Sequence, residues 1–406
     1  GALARDSAIS CTAAMSVQIL SARARRLSLV RLASARPLVA GQCRCFSRRI
    51  DGYLQYYGKL KSQEGMLRDR ARVEGYKAAL EAAGPLLKGA TVLDIGTGSG
   101  ILAMLAARGG AKKVYAVEAS PPMARLASRL ARANGFVGTV QVVPKHLEDI
   151  TDEEIPPGSV DIIVSELFSH FLVGELGLQA VTVAKRRFLR PGGLILPAHA
   201  HMMVSPFEDK GLCAELRARH KFWLQSDYYG FDLSAAWPLA EEQLLRENIL
   251  DVVPPSSLLI APEDAPRHVI DLAGPDDPEA WRKISFEVEF PRRSKDAVID
   301  GVCGWWDAVF TGVGEEPPVL STSPSAPTTV WAQCRFLLDK PLPAAADAKL
   351  VAKCEMKENK LKESYVLWLE LTNKTTGKAS RAGPIELSDV YARSLPKVDG
   401  HEHELR

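Results

Sequence analysis

The sequence predicts an α/β chain, with a doubly wound parallel sheet in its first half and an antiparallel β domain in its second. Three observations carry that reading. Between residues 91 and 196, short apolar strands alternate with amphipathic helices. A glycine-rich turn, VLDIGTGSG (Val92–Gly100), joins the first strand to the helix after it. After Pro197 the apolar period falls from 3.6 residues to 2. Strand–helix alternation builds parallel sheets, because each return crossover packs on a sheet face. Period-two alternation builds half-buried antiparallel strands.

The elements follow in order. Residues 53–83 carry apolar positions at helical spacing and almost no β-branched runs, which predicts one or two helices. Thr91–Ile95 reads as the first strand and Ser99–Arg108 as a helix stopped by Gly109-Gly110. Lys113–Glu118 is the second strand. Ser120 is placed to cap the next helix and Pro121-Pro122 to open it. Met123, Leu126, Ala127 and Leu130 give that helix its apolar face, and Gly135 stops it. Val140–Val143 and Val160–Ser165 are further strands. Leu178–Leu189 reads as a helix whose Lys185, Arg186 and Arg187 suit the negative end of the helix dipole. Pro191-Gly192-Gly193 ends it, and Leu194–Leu196 is a strand. In the second half, Lys283–Phe290, Val330–Leu338, Leu350–Met356 and Tyr365–Leu371 alternate, the last closing in the turn Asn373–Gly377. They predict a sandwich or barrel. Pro206–Trp237 carries Phe222, Trp223, Tyr228, Tyr229 and Phe231 and reads as a helical insertion.

A length of 406 residues exceeds one compact core and suggests two domains plus extensions. No run of about 18 apolar residues occurs, so no membrane span or membrane partner is expected. The seven cysteines are mostly scattered; Cys43 and Cys45 lie two apart with no second pair or His cluster, so reduced thiols and no metal site are expected. Residues 1–50 hold nine Arg, no Lys and one acid, a net of +8, which leaves −6 for residues 51–406. A mildly acidic body suits a cationic protein substrate and speaks against direct nucleic-acid binding. The Arg-, Ser- and Leu-rich stretch from Met15 has the composition of an organellar transit peptide, and Arg44-Cys45-Phe46-Ser47 is similar to a mitochondrial processing site. Nuclear or cytoplasmic residence with a basic disordered tail is the alternative.

Gly96, Gly98 and Gly100 let the chain turn sharply and approach a ligand at a helix N-terminus. Read from Gly98, the register also satisfies G-x-G-x-x-A, ending at Ala103, with Glu118 twenty residues on to take ribose hydroxyls. The loop therefore fits NAD or S-adenosylmethionine. The absence of a His–carboxylate pair suited to hydride transfer favours the second. Glu166 and Glu175 then stand on one loop after the strand Val160–Ser165. A guanidinium arrives charged, with a pKa above about 12, and is a poor nucleophile. Two carboxylates can grip it in fork geometry and draw its charge away from the attacking nitrogen. The pair thus points to arginine as substrate.

Seven stretches in this order resemble the protein arginine methyltransferases, nearest their coactivator-associated branch: Tyr53–Gly58, Met66–Tyr76 (MLRDRARVEGY), VLDIGTGSGIL, VYAVEAS, VDIIVSE with the later GE, Phe222-Trp223 with Gly230–Ser234, and LSTSP with TTVWAQ. The resemblance spans about residues 50–395. It implies a Rossmann-like, seven-stranded methyltransferase domain over 51–197, including the N-terminal helices. An antiparallel β-barrel over 198–395 follows, with 206–237 as a helical arm that clasps a second copy in a homodimer; 1–50 is a targeting extension and 396–406 a tail. The activity implied is methyl transfer from S-adenosyl-L-methionine to an arginine of a histone- or RNA-binding-type protein, by default to the asymmetric dimethyl product.

The implied roles are these. Glu166 and Glu175 are the catalytic pair, and Tyr57, Met66 and Trp331 line the arginine pocket. Arg72 pairs with the cofactor carboxylate, Glu118 holds the ribose, Glu148 the adenine amino group, and Leu147 packs on the base. Asp94, Gly96, Gly98, Gly100, Ile101 and Ala119 complete the cofactor site. The chain departs from the pattern at Leu54, at Phe168-Ser169-His170, at Gly177, where a pocket Met is usual and a wider pocket is expected, and at Val330, which replaces a loop His. Asp69 thereby loses its usual partner; His170 is one candidate substitute, and an ordinary surface or supporting histidine is the other reading of it. These departures leave room for a silent cofactor-binding scaffold of the same fold, and a methyltransferase acting on a small amine is a third reading.

Overall fold

The computed structural model describes residues 57–175 and 177–393. Residues 1–56, Leu176 and residues 394–406 lie outside them, and with them the expected targeting segment, Leu54 and the expected tail. Helices α1 (Leu60–Arg68), α2 (Arg70–Ala82) and the single turn α3 (Gly84–Leu87) precede β1 (Thr91–Ile95). Then follow α4 (Ile101–Arg108), β2 (Lys113–Val117), α5 (Pro121–Ala133), β3 (Val140–Val143), β4 (Val160–Ser165), α6 (Gly177–Phe188) and β5 (Leu189–Leu196). The strands pair in the order β3-β2-β1-β4-β5, all parallel.

Alternate residues of β1 serve opposite faces, as a strand period of two requires. Val92 packs in the core cluster that holds Tyr76, Leu102 and Ala131 from α2, α4 and α5. Leu93 packs in a second cluster with Val181 and Phe188 from α6. The order reverses between β1 and β4, so the C-terminal ends of β1, β2, β3 and β4 open onto a crevice.

Three expectations need correction here. The sheet has five strands among the described residues rather than seven, because after β5 the chain passes through Pro197 straight into the antiparallel half. The helix after β4 ends at Phe188, and Pro191-Gly192-Gly193 lies inside β5, where the pairing with β4 slips register between Val160 and Ile162. Ser120 precedes α5 but makes no side-chain cap; its N–H is taken by Glu118 and its hydroxyl is buried without a partner.

The second half begins with β6 (His199–Phe207), the helices α7 (Lys210–His220) and α8 (Trp237–Leu244), β7 (Asn248–Asp251) and β8 (Arg267–Asp271). It continues with β9 (Lys283–Glu289), β10 (Ala297–Val309), β11 (Val319–Ser321), β12 (Gln333–Ala344), β13 (Leu350–Glu358), β14 (Tyr365–Asn373), β15 (Lys378–Glu386) and β16 (Val390–Ala392). One sheet runs β16-β7-β12-β10-β6-β8 with β11 on β10, and the other runs β15-β14-β13-β9. Pairing is antiparallel except for β16 with β7. Their inward faces share one core with the α2–α4–α5 side of the parallel sheet.

The insertion differs at both ends from 206–237. Pro206 and Phe207 finish β6, and the helical part runs on through α8 to Leu244. The strand expected from Val330 starts at Gln333, because Ala332 takes φ +48° and breaks the alternation.

Candidate active site

The crevice residues sit where the parallel strands end. Gly96, Gly98 and Gly100 follow β1, all with positive φ (69°, 54° and 84°). The turn also has no room for side chains. A Cβ on Gly98 would fall 2.9 Å from Gln63 Oε1, and one on Gly96 2.8 Å from Leu167 Cδ2. Ile101 then starts α4, with Gly100 as its left-handed N-cap, so the helix opens two residues later than Ser99.

Asp94 lies beneath this turn, fully buried. Its Oδ2 accepts from the Thr97 hydroxyl at 2.5 Å, while Oδ1 has no partner. Burial pushes its carboxyl from 3.8 up to about 7. Glu118 ends β2. Its two oxygens accept from Gly98 N (2.8 Å) and Ser120 N (2.7 Å), which ties the glycine turn to the second strand, and burial raises its carboxyl against those bonds. Each oxygen keeps a further lone pair for a sugar hydroxyl. Ala119 is half-buried beside it. After β3, a 3-10 turn carries Leu147 and Glu148. Leu147 is packed in the core cluster under α6, and the Glu148 side chain is exposed.

After β4 comes the loop that bears the two glutamates. Arg72, from α2, donates through Nε to Glu166 Oε2 at 2.6 Å and through Nη2 to the same oxygen. Its Nη1 donates to Met66 O at 2.9 Å, and its guanidinium lies 5.9 Å from the Trp331 ring centre. Of its five N–H groups, two remain for a further acceptor. Glu175 accepts from the Tyr57 hydroxyl at 2.9 Å. The structure thus joins Met66, Arg72, Glu166 and Trp331 in one bonded set through Phe168, and Glu175, Tyr57 and Gln63 in another that reaches the glycine turn. Arg72, Glu166 and Glu175 together carry a formal −1, which one guanidinium would neutralise.

The loop between the glutamates is held from the antiparallel half. Trp331 Nε1 donates to Phe168 O (3.1 Å), Trp306 Nε1 donates to Ser169 O (3.1 Å), and Ser364 Oγ donates to Gly174 O (2.6 Å). Phe171 and Leu172 take φ of 48° and 66°, a strained turn that these bonds sustain.

Two sequence expectations fail in this loop. His170 does not pair with Asp69; its Nδ1 meets Trp331 O at 3.0 Å, and burial lowers its pKa, so the neutral ring donates there. Asp69 instead accepts from Arg72 N (3.0 Å), capping α2, and from Val330 N (2.8 Å). The backbone of the residue that replaced the histidine therefore satisfies it. Gly177, expected to widen the pocket, has another reason to be glycine: a Cβ there would lie 2.2 Å from Leu167 O, so main chain fills the space.

Sequence reasoning missed two residues. Gln63 of α1, 6% exposed, accepts from Ser99 N (3.1 Å) and donates to Tyr57 O (3.2 Å), joining the glycine turn to the pocket. Tyr76 is fully buried and donates to Ser165 O (2.7 Å), fixing the end of β4. A buried glutamine on a helix has no sequence signature; Tyr76 lay inside a quoted motif and was read only as helix.

This geometry can be set beside known proteins. Residues 198–374 match the model of the arginine methyltransferase oligomerization subdomain, and residues 92–193 match a methyltransferase domain. A probable histone-arginine methyltransferase CARM1 of Oryza sativa subsp. indica is 31% identical over 373 residues, covering 88% of this chain and 68% of that one. The chain belongs to the arginine methyltransferase family. Probable histone-arginine methyltransferase 1.4 of Arabidopsis thaliana, another family member, is 34% identical over 359 residues, covering 85% of this chain and 65% of that one. The chain thus spans about two thirds of the length of these curated relatives. Among solved structures of the family, protein arginine methyltransferase 10 of Arabidopsis thaliana superposes with a TM-score of 0.68 at 28% identity, covering 81% of this chain and 99% of that one. The Trypanosoma brucei PRMT1 enzyme–prozyme heterotetrameric complex with AdoHcy gives 0.67 at 25%, covering 80% and 98%.

Proposed function

We propose that the protein transfers a methyl group from S-adenosyl-L-methionine to an arginine guanidinium of a protein substrate. The single observation that carries this is the two-glutamate loop locked against Arg72 and Tyr57 at the mouth of a glycine cradle. The cradle fits the cofactor: its positive φ at Gly96 and Gly98 disfavours any side chain there, Glu118 retains acceptor capacity, and Arg72 retains two donors for a carboxylate. When bound, the cofactor supplies an electrophilic methyl group on a sulfonium.

The protein's own residues do the rest. Glu166 and Glu175 hold the substrate guanidinium and localise its charge away from the nitrogen that attacks. Tyr57 fixes the Glu175 carboxylate, and Trp331 pins the loop through Phe168 O, so both acids stay aimed. Orientation of this kind is worth several kcal/mol in a displacement. The nitrogen that gains the methyl group loses one proton.

The arm fits an oligomer contact. Phe222, Trp223, Tyr228, Tyr229 and Phe231 are all exposed, Tyr229 at 87% and Phe231 at 72%, and the rings of the first four pack edge-on 4.8–5.4 Å apart. An apolar cluster of that size calls for a partner, and we assign a second copy of the chain. The asymmetric dimethyl product is carried by family resemblance. The test incubates the full chain with labelled S-adenosyl-L-methionine and arginine-rich peptides, and reads the product by mass spectrometry. Transfer should occur and fall at least about 100-fold in Glu175→Gln, the loss expected when a charged partner of the reacting group goes. Absence of transfer by a chain shown to bind the cofactor would sink the proposal.

A further inference from the structure

We propose that the outer face of α5, with the edge strand β3, forms a docking groove for an acidic protein segment, distinct from the transferase site. A groove of about 490 Å³ opens there, lined by Arg125, Arg129 and Arg132 of α5 and by Val142 and Pro144 at the end of β3. Helix α5 buries Met123, Ala124, Ala127 and Ala131. Its arginines recur at i, i+4 and i+7, which sets them on one stripe about 10 Å long. All three are exposed, and none makes an ion pair or hydrogen bond among the described residues.

The surrounding chain does not offset them. Residues 101–147 contain seven Lys and Arg and one acid, Glu118, which is buried at 8% exposure. Residues 51–406 as a whole are acidic, so this face is a local reversal of sign. Three unpaired cations on one stripe raise one another's energy until an anion lies across them.

The spacing selects the occupant. Successive arginines stand about 6 and 4.5 Å apart along the helix axis. Alternate residues of an extended segment advance about 6.7 Å. Carboxylates at every second position come within about 1 Å of the first interval and about 3 Å of the full span, which the long arginine side chains can bridge. Among the described residues strand β3 pairs with β2 alone, so its other edge offers an extended segment a backbone to follow. No aromatic side chain lines the groove, which removes the stacking platform that single-stranded nucleic acid uses. The sign also excludes the cationic substrate of the proposed transferase, so the groove takes a second partner. The inference does not depend on that activity.

The experiment measures fluorescence anisotropy of a labelled nonapeptide of alternating Glu and Thr against the full chain at low and physiological salt. The wild type should bind, more weakly at the higher salt. Arg125→Gln/Arg129→Gln/Arg132→Gln should bind at least tenfold more weakly with unchanged circular dichroism, since all three residues are exposed. Arg108→Gln/Lys112→Gln, which removes nearby charge outside the groove, should change affinity less than twofold. The proposal is overturned by no binding to the wild type, by equal losses in the two variants, or by tighter binding of an oligothymidylate through the same arginines. A shift of the triple variant from dimer to monomer in light scattering would also overturn it, because the face would then be a contact between copies.

Discussion

Replacing Asp94 with Asn should flatten the pH dependence of stability. The side chain is fully buried under the glycine turn, with one oxygen on Thr97 and the other without a partner. Burial is the largest cause of its rise from 3.8 to about 7, opposed by the Thr97 hydroxyl and the Ala103 N–H and assisted by Glu118 and Glu166. Below pH 4 the carboxyl is protonated in both folded and unfolded chains, and the folded state keeps the whole advantage of a neutral group. Between pH 4 and 7 the unfolded chain has lost the proton and the folded chain has not. Unfolding then releases a proton, and stability falls as pH rises. A shift of about three units at 1.36 kcal/mol each gives a loss of about 4 kcal/mol, complete above pH 7. Asparagine keeps the shape and the oxygen that faces Thr97, and it does not titrate. Urea denaturation of both proteins from pH 4 to 8, with matched m values, isolates the term from every other carboxylate. The wild-type-minus-variant difference should shrink by about 4 kcal/mol across that range. Parallel curves would refute the reasoning.

Three further outcomes follow from named contacts. Gln63→Ala removes the acceptor for Ser99 N and should weaken S-adenosylhomocysteine binding about 5- to 10-fold by calorimetry, the worth of one hydrogen bond; equal affinity would deny Gln63 a role in shaping the turn. Tyr57→Phe removes the donor to Glu175 and should lower kcat/KM about 10- to 100-fold, the range for a bond to a charged group, with S-adenosylhomocysteine affinity unchanged. Gly177→Met drives a Cβ against Leu167 O and should cost roughly 2–3 kcal/mol by thermal unfolding, as overpacking does; a methionine accepted without loss would show that the loop relaxes freely.

The sequence made the parallel half legible because each strand there ends in something distinctive. β1 runs into glycines whose positive φ other residues rarely adopt, β2 into Glu118, and β4 into Glu166. Period-two alternation also placed β9, β13 and β14 to within two residues of their ends. It missed β6 and β10. Both are buried on both faces for most of their length, as in AVIDGVCGWWDAV, and a strand without a solvent face has no alternation to read. The extent of the parallel sheet was misjudged for a related reason. Resemblance supplied seven strands, while pairing past β5 depends on where the chain goes after Pro197, which no local pattern encodes.

At the site, residue types were easier to read than pairings. Chemistry points to Glu166 and Glu175, and resemblance to Arg72 and Tyr57, yet neither says that Arg72 lies on Glu166 or Tyr57 on Glu175. Asp69 shows why. A buried carboxylate needs donors, and the loss of a histidine at position 330 looked like the loss of one. The structure meets that need with the main-chain N–H of Val330, a donor that nearly every substitution at 330 would retain. Side-chain comparison is blind to such a donor because it has no letter. The same segment then presents the Trp331 carbonyl to His170 and the Trp331 indole to Phe168 O. What the vacated histidine held through a ring is here held through a peptide. A change that bears on this architecture is therefore one that removes the N–H, Val330→Pro, rather than one that restores the ring, Val330→His. The first should leave the buried Asp69 one donor short, loosen the α2 cap that sets Arg72 on Glu166 and lower transfer, while the glycine turn stays held by Glu118 and Gln63. If Val330→Pro transferred normally, the peptide would not be the tether.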